Sequence, residues 1–146
     1  MTPREQEIQR RTELSESRVT KAVFPPTTNH HNTLFGGTAL AWMDEVSFIA
    51  ATRFCRLPLV TVSSDRIDFK HAIPAGSIVE LVGRVIKVGN TSLKVEVNIY
   101  VESMYHDGRE KAVSGVFSFV AVGEDNKPIP VLPGFVADAA AETVNG

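Results

Sequence analysis

Between Ser92 and Glu102 the chain alternates: Leu93, Val95, Val97, Ile99 and Val101 are apolar, while Lys94, Glu96, Asn98, Tyr100 and Glu102 are not. A period of two marks a strand with one face on a core. Strand character extends this stretch over 91–105 and recurs at 59–72, 77–88 and 110–122. Pro74-Ala75-Gly76, Gly89-Asn90 and His106-Asp107-Gly108 separate these runs and carry turn chemistry. Short turns between consecutive strands favour antiparallel pairing. An earlier β-branched and aromatic run, Arg18–Phe24, predicts a first strand. Pro25-Pro26 ends it, because proline has no N–H to give a ladder and holds its own φ.

One segment reads differently. From Gly36 to about Phe54 the spacing predicts a helix whose only charges are Asp44, Glu45 and Arg53. A helix apolar nearly all round is a buried helix, and this one is too short to span a membrane, so the strands around it must cover it. The expected architecture is α+β: an antiparallel sheet of about five strands curled around one long buried helix. Residues 1–17 read as a charged arm, frayed or a short surface helix, 18–123 as the folded domain, and 124–146 as a proline-containing tail whose last ten or so residues are expected to be poorly ordered.

Composition narrows the function more than the fold. A chain of 146 residues suits one domain. With a net charge of −2 and no basic block beyond Arg10-Arg11, general nucleic-acid binding is not expected. No apolar run reaches the roughly 18 residues of a membrane span, and Met1–Glu16 lacks the apolar centre of a secretory signal. A single cysteine, Cys55, supports neither a disulfide framework nor a zinc cluster. The cytoplasm is the expected compartment, and neither metal nor cofactor is expected.

The chemistry concentrates between Asn29 and Asp44. A polar loop tightens through Phe35-Gly36-Gly37 and becomes the helix. Without a Cβ, the two glycines let a ligand reach the backbone closely. The first N–H groups of a helix have no partner inside it and sit at its positive end, where a carbonyl oxygen gaining negative charge is stabilised. Asp44 follows Gly37 by two turns and returns to about the same face. A carboxylate among Leu40, Trp42, Met43, Val46, Phe48 and Ile49 is costly unless it has a task or partners.

Asn29, Gly36-Gly37 and Met43-Asp44-Glu45, at these intervals, resemble the acyl-CoA thioesterases of the hotdog fold, in the branch of bacterial and mammalian acyl-CoA hydrolases. The resemblance covers Val19–Val122. One departure is Asn32, where many relatives carry glycine; asparagine is the residue that best tolerates a positive φ in its place. The resemblance implies hydrolysis of an acyl-CoA to free acid and coenzyme A, which is substrate and product rather than cofactor. It implies homodimers that assemble further into tetramers or hexamers, each site shared between two chains. The helix agrees, because two turns put Asp44 about 10 Å from Gly37 along the axis, too far to act on the same carbonyl. Gly37 is assigned to polarise the thioester oxygen, Asn29 to position water or thioester, and Asp44 to act as general base or nucleophile. Phe35 and Gly36 are placed against the substrate. By the same resemblance Ser63-Ser64 lie beside the catalytic helix and Asn90-Thr91-Ser92 near the coenzyme A nucleotide.

Other candidates are weaker. His30 and His31 are adjacent rather than at a chelating interval; His31 keeps open a hydroxyacyl-thioester dehydratase as an alternative. A non-catalytic acyl-CoA-binding regulator is the other, though the arm before Arg18 is too short for a helix-turn-helix. Glu45, about 100° round the helix from Asp44, reads as structural or as a subunit contact. Trp42 and Met43 read as packing, and Cys55 as a small buried hydrophobe.

Overall fold

Every second residue along the central strands is buried, and that alternation builds the sheet. The structure, a computed structural model, describes residues 1–135; the expectation for the last ten residues of the tail lies outside them. Its elements are α1 (Pro3–Ser15), β1 (Ser17–Ala22), α2 (Gly36–Cys55), β2 (Leu59–Phe69), β3 (Ser77–Val88), β4 (Ser92–Ser103) and β5 (Glu110–Ala121). The strands form one antiparallel sheet in the order β1-β3-β4-β5-β2. Val79, Leu81 and Val85 of β3, Leu93 to Val101 at alternate positions of β4, and Val113, Phe117 and Phe119 of β5 are buried on one face. Onto that face α2 lays Ala39, Met43, Val46, Ala50 and Phe54. The helix sits close because β3 carries Gly83 beneath it. A Cβ there would meet the Val46 Cγ1 at 3.0 Å and its carbonyl oxygen at 3.3 Å, so the contact leaves no room for a side chain.

Two differences from the sequence reading bear on function. The sheet covers only one side of α2. Leu40, Ala41, Asp44, Glu45 and Phe48 are exposed in the single chain, with Phe48 44% accessible. The edge strand β2 adds exposed Val60, Val62 and Phe69. Apolar residues all round a helix say that it is covered, not that its own chain covers it. The second concerns the N-terminal arm: of the two forms expected it takes the helical one, α1, and this helix packs on α2 and β3. Thr2 caps it in a reciprocal pair with Glu5, and Pro3 occupies its first turn. Arg4 is buried and donates to the Gly89 carbonyl at 2.7 Å.

Candidate active site

The loop before α2 is tied down by its own backbone. The Asn29 N–H donates to the Thr33 carbonyl (2.8 Å), Asn32 N–H to the Asn29 carbonyl (3.0 Å) and Phe35 N–H to the Thr27 carbonyl (2.9 Å). It is stitched to the chain before β3 through Leu34 N–H to Ile73 O and Ala75 N–H to Asn32 O. Asn32 takes φ 60°, the left-handed conformation the sequence demanded of it.

Within this loop the orientation of the Asn29 amide is decided by chemistry. Its Oδ1 accepts from the His31 N–H (2.9 Å), the Thr33 N–H (3.2 Å) and the Thr33 hydroxyl (3.1 Å). Backbone N–H groups can only donate, so the atom facing them is the oxygen. Among the described residues the Nδ2 group has no partner, so its two donors are available to a ligand.

The start of α2 is equally available. Its N-cap, Phe35, gives no side-chain cap, so the leading N–H groups remain open at the positive end of a 20-residue helix. Gly37 is exposed, and a Cβ added to it would meet nothing of its own chain within 4 Å. Packing within the chain does not require glycine there.

Asp44 stands on the open face of α2. Its carbonyl accepts from the Ser47 hydroxyl at 2.7 Å, but its carboxylate has no ion pair or hydrogen bond among the described residues. Arg53, the nearest cation along the helix, instead donates to the Ser17 hydroxyl at 2.9 Å. One turn on, Phe48 lies 6.3 Å, centroid to centroid, from the Phe119 ring. Phe119 is paired across the sheet with Thr61 of β2. Thr61, which the sequence reading passed over, is therefore exposed on the side of the sheet that faces the Asp44 stripe. A polar residue alternating with Leu59 on the helix-side face was the signal for it.

The remaining candidates separate. Ser64 pairs with Phe117 and shares the helix side, but Ser63 pairs with Ser118 and faces the other way. Asn90-Thr91-Ser92 turn the chain at the far end of β3, roughly 36 Å from the site loop at strand rise. There the Asn90 carbonyl accepts from Val131 and the Thr91 carbonyl from Ala121. The turn thus lies at the opposite end of β3 from the loop that precedes α2. Phe35 is exposed beside the open helix end and Gly36 is half-buried. The His30 and His31 rings lie 3.8 Å apart on the exposed loop, and no group of metal-binding side chains occurs among the described residues. Trp42 packs half-buried with the Lys21 ammonium 5.0 Å from its ring, and Met43 is fully buried. Glu45 is exposed. The Cys55 thiol is buried and hydrogen-bonded to the Ala51 carbonyl; burial raises its pKa and leaves it a poor nucleophile.

A thioesterase superfamily model matches residues 31–105. An acyl-CoA thioester hydrolase of Bacillus subtilis, itself uncharacterized, is 41% identical over 118 residues, which are 80% of this chain and 69% of that protein. The rat cytosolic acyl coenzyme A thioester hydrolase is 32% identical over 119 residues, 80% of this chain but 31% of the rat protein. Among solved structures, an acyl-CoA hydrolase of Bacillus cereus superposes with a TM-score of 0.79 at 37% identity, covering 82% of this chain and 73% of its own. One from Staphylococcus aureus, in complex with butyryl coenzyme A and coenzyme A, gives 0.78 at 34% identity and the same coverage. That protein was also solved as three single alanine variants, of an asparagine, of an aspartate 15 positions later, and of a threonine 17 positions beyond the aspartate. A further match, at TM-score 0.78 and 36% identity, is a hexameric acyl-CoA thioesterase.

Proposed function

The chain belongs to the thioesterase superfamily, as an acyl-CoA thioester hydrolase, and on that premise we propose how its residues divide the reaction. The observation that carries the proposal is the pairing of an uncapped glycine helix start with a carboxylate left unpartnered two turns later on the open face of the same helix.

The thioester oxygen accepts from the Gly37 N–H, where the helix end stabilises the negative charge that develops as the carbonyl carbon is attacked. The Asn29 Nδ2 group is a second donor at the reacting centre. Because its oxygen is already spent on the loop, Asn29 stabilises the thioester oxygen or positions the lone pairs of water, and does not accept a proton. Asp44 acts as general base, taking a proton from water as the water oxygen adds, or itself attacks to give a mixed anhydride that water then opens. Either route breaks the carbon–sulfur bond, and the coenzyme A thiolate leaves and is protonated. Coenzyme A is thus part of the substrate, and the scheme draws on no other group. Asn29, Asp44 and Thr61 stand at intervals of 15 and 17, those of the three residues replaced in the S. aureus hydrolase. This supports adding Thr61 to the site, where its hydroxyl would hold the attacking water or the Asp44 carboxylate.

The site is proposed to form between two copies. Gly37 and Asp44 are about 10 Å apart along the helix axis. The exposed Leu40 and Phe48 on the Asp44 side of α2, and the edge strand β2 with its exposed Val60 and Val62, are surfaces a second copy would cover. Further assembly of dimers fits the hexameric relative. No described helix is long and apolar enough to cross a membrane, and with the cytosolic naming of the rat relative we place the activity in the cytoplasm.

Release of thiol from a panel of acyl-CoAs by the purified protein is the direct test. The expected result is turnover that falls about 10²- to 10⁴-fold in Asp44→Asn, the usual loss for a general base. Undiminished turnover in that variant would remove Asp44 from the reaction. A single turnover in ¹⁸O-labelled water tests the routes: the general-base route puts the label in the released acid, whereas water opening an anhydride at the aspartate carbonyl puts it in Asp44 and leaves the acid unlabelled.

A further inference from the structure

Beside the open end of α2 lies a cavity of about 260 Å³ lined by Thr33, Leu34, Gly36, Ala39, Phe69, His71, Ile73 and Val113, among others. Its floor is apolar and buried: Leu34, Ala39, Ile73 and Val113. Its rim holds Thr33 and the exposed His71. The Phe69 ring lies over Gly36, close enough that a Cβ there would be 3.9 Å from its Cζ. The cavity therefore begins next to the N–H groups assigned to the thioester oxygen.

Past the Val113 wall of the cavity, β2 and β5 break register. Between Asp65 and Asp68 of β2 the pairing with β5 slips, so that residues 66 and 67 stand opposite Gly115 alone. Such a bulge re-aims side chains. Here it turns Ile67 inward over the glycine: a Cβ on Gly115 would collide with the Ile67 Cδ1 and lie 3.1 Å from the Met43 Cε. Met43 is one turn beyond Ala39 on the same helix face, and Gly115 is two residues beyond Val113 on the same strand face. The space that would prolong the cavity between helix and sheet is thus occupied by Ile67 and Met43.

We infer that this cavity takes the acyl chain, and that Ile67, seated in the gap left by Gly115, sets its maximum length. The inference rests on the hydrolase reading above. A pocket that ends at Ile67 favours acyl chains that stop short of it, so the substrates are short- to medium-chain acyl-CoAs.

The experiment is kcat/KM by thiol release for acetyl-, butyryl-, hexanoyl-, octanoyl-, decanoyl-, lauroyl- and palmitoyl-CoA with wild type, Ile67→Ala, Ile67→Val and Val113→Phe. For wild type, each methylene beyond the limit should cost about tenfold or more. Ile67→Ala should move the limit toward longer acyl chains and Ile67→Val by less, whereas Val113→Phe should move it toward shorter ones. Thermal melts establish which variants are folded; Ile67→Val, losing one methyl, is the mildest and keeps the test alive if the others are not. No thiol release from any acyl-CoA by folded wild type would defeat the hydrolase reading itself. Hydrolysis with one unchanged chain-length profile in all folded variants would leave that reading standing and overturn the assignment of the cavity.

Discussion

The two ends of α2 are finished in opposite ways. At its C-terminus Arg56 takes φ 54° as a left-handed cap, its N–H bonded to the Thr52 carbonyl at 2.7 Å. Arg11, reaching from α1, donates to the Phe54 carbonyl at 3.2 Å, and Arg53 lies in the last turn. Cations and donors thus satisfy the negative end of the helix. At the N-terminus there is no side-chain cap, two glycines and an adjacent cavity. A helix optimised for stability would carry Ser, Thr, Asp or Asn before Gly36, worth about 1 kcal/mol; here Phe35 holds that position and the donors stay open. The difference separates what holds the molecule together from what it presents to a ligand.

The largest effect should come from the open end, through subunit mixing. If one site takes Gly37 from one chain and Asp44 from the other, Asp44→Asn chains mixed with Gly37→Val chains should recover activity that neither has alone. The empty space around Gly37 in its own chain indicates that Gly37→Val folds. Random exchange makes about half the dimers mixed, each with one intact site under two-fold symmetry, so roughly a quarter of wild-type turnover should return. Native mass spectrometry confirms exchange. Mixed dimers without recovered hydrolysis would place the site inside one chain.

At the closed end the effect should be on stability alone. Arg11→Met keeps an apolar stem but removes the donor to the Phe54 carbonyl and the pair with Glu7 (2.7 Å). Unfolding free energy should drop by about 1–2 kcal/mol, read from urea titration, while kcat on the best substrate is unchanged. A loss of kcat with unaltered stability would mean that the two ends are not separable.

How far this could be read beforehand depended on whether a signal was local. The strands followed from alternation, and the helix start from Gly36-Gly37, because both patterns act over a few residues. The capping box of α1, Thr2 with Glu5 behind Pro3, was equally local and legible. It was passed over because α1 has no apolar stripe and docks through arginines, Arg4 to Gly89 and Arg11 to Phe54. What one sequence could not declare was side. The bulges at Val62 and Ile67 decide which way Thr61, Ser63 and Ile67 face, and a slip of one residue reverses a strand's faces. Nor could hydrophobicity tell the half of α2 covered by its own sheet from the half left open.

The smallest effect tests whether the charged seam behind the closed end matters at all. Glu16, between α1 and β1, receives Arg84 at 2.6 Å and Arg18 at 2.8 Å. The hydrogen bond from Arg84, then that from Arg18, holds its carboxyl pKa below the ordinary 4.5. A carboxylate with a lowered folded-state pKa contributes stability that is present above the unfolded value and lost as pH falls through the folded one. Because the arginines are about half exposed, the contribution should be at most about 1 kcal/mol. Glu16→Gln should therefore melt slightly below wild type at neutral pH, and the gap should close as pH falls below 4.5. Raising the salt toward 1 M should narrow it as well, since the Debye length falls to about 3 Å. Turnover should be unaffected. A gap that persists undiminished in acid would show that Glu16 contributes through packing at the end of α1 rather than through its charge.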